Sequence, residues 1–271
     1  MKRLLVLLLL FSLVNAEFLI ESVQVTIGDI QDDGSAKVHE SIKMIMTGDY
    51  SMSLYDSGIT NNRLSIWSNY TGLKDVKMHT NSAVVDIRDF RIRPQPRTKC
   101  NPIQNTCHGE LILDYWAYPS FANETPQKGT GIFTVEKYKP RTKRYTINPA
   151  ALSFTTTPEN NIVLDDRVYL IVELPSKSIT LDVNPVPAYQ SYDFPTHIDR
   201  LEWEDIVLVK FSLVFDVEDS IDKEVTDFFG DIARGISSTL SSPHGIPLVI
   251  LLLAVIGAYL YIVMAKRRGE E

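Results

Sequence analysis

Apolar and polar residues alternate along most of this chain. Val23, Val25 and Ile27 fall on alternate positions, and Val38, Ile42, Met44 and Met46 repeat the pattern after Asp32-Asp33-Gly34. A period of two marks half-buried strands, and Asp-Gly between two such runs supplies the positive φ of a tight turn, so the opening reads as a β-hairpin. Tyr50, Met52 and Leu54 alternate next, then Leu64 and Ile66, Val76 and Met78, Val85 and Ile87, and Leu111, Leu113 and Tyr115, with Asn, Gly, Ser and Asp clusters between them. Short strands at close spacing predict an all-β sandwich or barrel.

Residues 162–164, 168–174 and 179–183 give three more β runs, interrupted by Asp165-Asp166 and Pro175-Ser176-Lys177. Asn184-Pro185-Val186-Pro187 and Phe194-Pro195 frame an irregular stretch. Val207, Val209, Phe211, Leu213, Phe215 and Val217 read as one long strand, with Lys210, Ser212 and Asp216 on its other face. The basic stretch 138–145, interrupted by Pro140, reads as a connector. It divides a first β-sandwich unit at 17–140 from a smaller β unit at 141–219.

The period then changes. Ile221, Val225, Phe228, Phe229, Ile232, Ile236 and Leu240 recur at helical steps, predicting an amphipathic juxtamembrane helix over 220–240 and a linker to residue 245. Its apolar face has three partners open to it: the chain's own body, the outer leaflet, or another subunit. Residues 246–265 carry no charged side chain, and roughly 20 residues at about 1.5 Å each cross a ~30 Å hydrocarbon core. Lys266-Arg267-Arg268 follows at once, while 235–245 holds no Lys or Arg, which places the tail 266–271 in the cytoplasm. At the other end, Met1-Lys2-Arg3, the apolar run 4–14 and Val14-Asn15-Ala16 have the layout of a secretory signal over 1–16; an uncleaved anchor is the alternative. The expected class is therefore mainly β: one or two β-sandwich units outside the membrane, an amphipathic helix, and one C-terminal transmembrane helix. The topology is single-pass type I, with the N-terminal body extracytoplasmic.

Composition sharpens this picture in three places. A net charge of −7 gives no strongly basic domain for nucleic acid. Cys100 and Cys107 are the whole thiol inventory, and in an exported chain a close pair predicts a disulfide. Closing so short a loop restricts the unfolded state by about 2.5 kcal/mol in the chain-entropy model. A zinc site of both cysteines and His108 would fall short of the usual four ligands. Asn69-Tyr70-Thr71 and Asn123-Glu124-Thr125 are glycosylation sequons in polar surroundings, making Asn69 and Asn123 candidate acceptors.

No catalytic constellation stands out. The histidines are scattered, and H-E-x-x-H, G-x-S-x-G and P-loop patterns do not occur. Asp29, Asp33 and Gly34 fall short of a calcium loop because Gln31 holds a ligand position and the distal glutamate is missing, so the turn reading stands. His39 and Glu40 point to opposite faces of a strand. The basic, proline-broken run 88–97 reads as a strand running into a loop. It suits either anionic headgroups and acidic glycans or a charged, protected sheet edge. The aromatic cluster after Tyr115, with Trp116, Tyr118 and Phe121, is either a binding surface or core-to-edge packing.

One resemblance bears on class. Asp33-Gly34-Ser35-Ala36-x-Val38-x-Glu40, soon after the signal, resembles the opening of exported domains in uncharacterised archaeal and bacterial membrane proteins, where D-G-[ST]-hydrophobic-x-[VI]-x-E starts a β-sandwich. The match is confined to the opening hairpin, and this chain departs from those proteins in having a single span and a short tail. The resemblance implies a prokaryotic, archaeal-type envelope protein and brings no active site with it. The expected function is a membrane-anchored binding or structural protein without catalysis or cofactor: an envelope component, an adhesin-like module or an accessory subunit of a membrane complex. Its partners are the lipid bilayer and a protein met through the ectodomain or the span. The alternative is a surface hydrolase or metal-dependent enzyme assembled across loops from Asp193, His197 and Asp199.

Overall fold

A computed structural model of the chain describes residues 17–122, 125–127, 129–139, 141–193 and 197–218. The signal 1–16, the sequon residue Asn123, the juxtamembrane helix 220–240, the span 246–265 and the tail 266–271 lie outside the described residues. Among the described residues no helix is long and apolar enough to cross a membrane.

The described body is mainly β. In chain order it runs β1 (Glu17–Gly28), β2 (Ala36–Thr47), α1 (Gly48–Gly58), α2 (Leu64–Thr71), β3 (Asp86–Asn101), β4 (Thr106–Tyr118), β5 (Phe121–Ala122), β6 (Thr125–Pro126), β7 (Phe133–Lys139), β8 (Thr142–Ile147), β9 (Thr155–Thr156), β10 (Ile162–Glu173), β11 (Ser178–Asn184), β12 (Tyr189–Asp193), β13 (His197–Leu208) and β14 (Ser212–Glu218). The large sheet has the order β12-β13-β10-β1-β2-β4-β3, with β9 beside β10, and the smaller one has the order β11-β14-β8-β7. β1 and β10 run parallel, while the other pairs are antiparallel.

Alternation decides which side of the large sheet is the inside. Val23, Val25 and Ile27 of β1, Val38, Ile42, Met44 and Met46 of β2, and Leu111, Leu113, Tyr115 and Ala117 of β4 are almost wholly buried on one face. Each large aliphatic side chain there contributes about 1.5–3 kcal/mol relative to exposure. The smaller sheet adds Phe133, Tyr145 and Phe215 to the same core, with the Tyr145 and Phe215 rings stacked at 5.0 Å. At the β1–β2 turn, Asp33 Oδ1 accepts hydrogen bonds from the Ser35 amide at 2.9 Å and its hydroxyl at 2.6 Å. Gly34 sits at φ +85°, and a Cβ there would lie 2.3 Å from the Phe133 carbonyl oxygen. The opening hairpin therefore docks its tip on the backbone of the smaller sheet.

Several expectations change. The alternation at Tyr50, Met52 and Leu54 is misleading, because this stretch is helix α1 and buries Ser51, Met52, Tyr55 and Gly58 at helical spacing. Leu64 and Ile66 lie on α2, where Trp67 and Thr71 are the buried pair, and Val76 and Met78 lie in the irregular segment between α2 and β3 rather than a strand. Asn69 is thus an exposed helix position, not a loop. The helices cover the inner face where Gly109 leaves room for the Tyr55 ring, 2.6 Å from where a Cβ would stand. The run 88–97 stays in β3 throughout: as an end strand of its sheet, β3 tolerates Pro94 and Pro96.

The connector expected at 138–145 is the β7–β8 hairpin. Strands from both sides of Arg141 share each sheet, since β10 pairs with β1 and β8 pairs with β7, and residues 17–218 fall in one compact unit. Asp165 and Asp166 lie within β10 at an irregularity in its pairing with β13 instead of separating two strands. The stretch expected to be irregular after Pro187 holds β12 and the start of β13. The long strand expected at 207–217 is two strands in different sheets, turning at Lys210 with φ 51°; Leu213 and Phe215 are buried, whereas Val207 and Val209 are 40% and 50% exposed.

Candidate functional site

The outer face of the large sheet carries the polar positions of the same alternation. β2 presents Lys37 and His39 there, and β4 presents Asp114, Trp116 and Tyr118. On β3, Arg88 pairs with Trp116 and Arg91 with Asp114, so the bulge at Asp89 and Phe90 inserts one extra residue. Asp89 takes φ 55° to make it. Without this bulge Arg88 and Arg91, three apart, would face opposite sides; with it Arg88, Arg91 and Arg93 share the outer face.

Asp114 is the hub of this surface. Its Oδ1 lies 2.8 Å from His39 Nδ1, and its Oδ2 accepts from Arg93 Nε at 3.1 Å and from an Arg93 terminal nitrogen. Partial burial works to raise the Asp114 carboxyl, but the hydrogen bonds from His39 and Arg93 and the Arg93 charge outweigh it and hold the group below its ordinary value. Arg88 donates to Asp86 at 2.9 and 2.7 Å and lies over the Tyr118 ring, 4.7 Å from its centroid. The Asp86 hydrogen bonds raise the Arg88 guanidinium. Trp116 and Tyr118 stand 6.0 Å apart. Lys37 has Asp29 at 3.7 Å, and Arg91 enters no hydrogen bond or ion pair among the described residues. Lys37, Asp89, Arg91, Arg93, Asp114 and Trp116 border a cavity of about 520 Å³.

The inner face has a polar cluster of its own. Glu40 is fully buried and accepts from the His79 amide at 2.8 Å and from the Tyr115 hydroxyl, while its other oxygen lies 2.8 Å from His79 Nδ1. The Thr80 hydroxyl donates to the Tyr115 oxygen at 2.9 Å. Burial first, then the Glu40 charge, pushes the Tyr115 hydroxyl well above its usual range, so it stays protonated as the donor. Glu40, His79, Thr80 and Tyr115 are all buried, and the cluster satisfies a carboxylate placed among apolar side chains.

The other positions singled out in the sequence fall as follows. Cys100 and Cys107 form a disulfide that closes the β3–β4 hairpin, with S–S 2.09 Å. His108 pairs instead with Glu21 at 2.8 Å. His39 and Glu40 do face opposite sides of β2. Trp116 and Tyr118 share the outer face, and Phe121 opens the short strand β5. Asp193 and His197 are backbone partners where β12 meets β13. Among the described residues no group of three or more His, Cys, Asp or Glu side chains is arranged to hold a metal ion. Sequence reading flagged the arginine run and the aromatic cluster separately; only register brings them together. The Glu40 cluster was missed, although a glutamate on the apolar parity of Val38, Ile42 and Met44 was a usable sign.

No family model matches the chain, and no curated protein sequence matches it. Among solved structures, the chain is similar to yeast LTA4 hydrolase in complex with bestatin (TM-score 0.34, 9% identity, 74% of this chain and 29% of that one). Native yeast LTA4 hydrolase gives a TM-score of 0.33 at 9% identity over 75% of this chain, and native leukotriene A4 hydrolase from Saccharomyces cerevisiae gives 0.32 at 8% over 74%. The chain spans 29% of the length of each of these proteins, and likeness at this level assigns no family and no activity.

Proposed function

We propose that the chain is a membrane-tethered extracytoplasmic protein that works by binding, without catalysis, with the outer face of β2, β4 and β3 as its docking surface. One observation carries the reading: a sheet-edge bulge gathers Arg88 and Arg91 onto the face that also presents Lys37, Trp116 and Tyr118. Aromatic rings bring large contact area at low entropy cost, and the cations beside them select anionic partners. The uncharged run 246–265 followed by Lys266-Arg267-Arg268 supports the tether, and the disulfide suits an oxidising compartment. The test uses the full-length protein in its own membrane. Carbonate washing is expected to leave it bound and protease added outside to consume the body; release by carbonate or full protection overturns the tether. In detergent, the protein is expected to sediment with envelope material, and Trp116→Ala with Tyr118→Ala to abolish this. Unchanged sedimentation overturns the docking face.

A further inference from the structure

We infer that the cavity bordered by Arg91, Lys37 and Trp116 takes a carboxylated pyranose unit of an acidic saccharide. The inference rests on the docking-face reading and adds the chemistry of the ligand. Arg91 is the point of departure. Its cross-strand neighbour is Asp114, the nearest carboxylate by register, yet both Asp114 oxygens are occupied, one by His39 and the other by Arg93. The Arg91 guanidinium is left exposed without a partner among the described residues, on a strand whose bulge aims it at the outer face. A planar fork of donors in that state is suited to a bidentate carboxylate.

The surroundings narrow the ligand from any anion to a sugar acid. Trp116 is half-buried in the cavity wall and offers a flat apolar surface, the partner that the C–H face of a pyranose ring requires. Asp89, exposed on the rim and making no hydrogen bond among the described residues, can accept from ring hydroxyls. Lys37 adds a second cation, whose one ion pair among the described residues is with Asp29 at 3.7 Å. Bare phosphate would use the cations but neither Trp116 nor Asp89. The cavity, about 520 Å³, lies within the size of small-molecule sites, roughly 300–1,000 Å³.

Full-length protein in neutral detergent is titrated with trigalacturonate and with maltotriose at low salt, following tryptophan fluorescence. Trigalacturonate is expected to bind about tenfold more tightly than maltotriose, and Arg91→Ala to remove that preference while Arg91→Lys keeps part of it. Trp116→Ala is expected to weaken both sugars. Equal affinity for the two sugars, or an Arg91→Ala protein as selective as the natural one, overturns the assignment. Arg91-dependent binding to phosphatidylglycerol vesicles without binding to trigalacturonate also overturns it, in favour of a lipid headgroup. If trigalacturonate fails while Trp116→Ala with Tyr118→Ala still abolishes sedimentation with envelope material, the sugar-acid inference falls and the docking face stands.

Discussion

His39 and Glu40 are neighbours in the chain, and each makes a histidine–carboxylate contact of 2.8 Å, His39 with Asp114 and Glu40 with His79. The two contacts lie on opposite faces of one sheet. In the outer pair the side chains are 42% and 20% exposed, and in the inner pair 0% and 2%. Equal distance does not give equal energy: water screens the outer contact and competes for it, whereas the inner groups are buried, hydrogen-bonded among Glu40, His79, Thr80 and Tyr115, with the His79 ring against Phe154. The inner face thus fixes the structure, and the outer face is free to change without unfolding the protein.

The sharpest way to break this contrast is Glu40→Ala. It strands the His79 amide and the Tyr115 hydroxyl in the core and is expected to cost about 3–5 kcal/mol, read as a fall in the urea midpoint. Gly109→Ala probes the same face through packing, pressing a methyl into the Tyr55 ring, and is expected to cost about 1–3 kcal/mol by the same measurement. On the outer face, Asp114→Asn is expected to cost no more than about 1 kcal/mol at neutral pH. The sign of its pH dependence follows from the lowered folded pKa of Asp114. The carboxylate's contribution is complete above the unfolded value of about 3.9 and is lost as pH falls through the lower folded value. Stability curves of the natural and Asp114→Asn proteins should therefore converge as pH falls below about 3.9; a gap that widens there would contradict the geometry. Smallest of all, Arg91→Ala should change stability by less than about 0.5 kcal/mol while abolishing the preference for trigalacturonate.

Local signals were legible in the sequence, and long-range ones were not. Val38, Ile42 and Met44 marked β2, Leu111, Leu113 and Tyr115 marked β4, and Cys100 and Cys107 marked their bond, because each signal is complete within a few residues. Tyr50, Met52 and Leu54 gave the wrong period because Tyr50 is half exposed; the face that packs is Ser51, Met52, Tyr55 and Gly58. Lysines and Pro140 made the β7–β8 hairpin look like a linker, since turns and linkers draw on the same residues. The candidate site needed two things that no local pattern contains: the register of β3 against β4, and the bulge that turns Arg91 to the side of Trp116.

The parallel pairing of β1 with β10 also governs the order of events during synthesis. Ribosomes release β1 early and its partner late, with Val23 waiting for Val168. The nascent β1–β2 hairpin meanwhile shows one bare flank, open to pairing with the wrong chain. A strand in the middle of the finished sheet therefore spends most of translation as an unguarded margin.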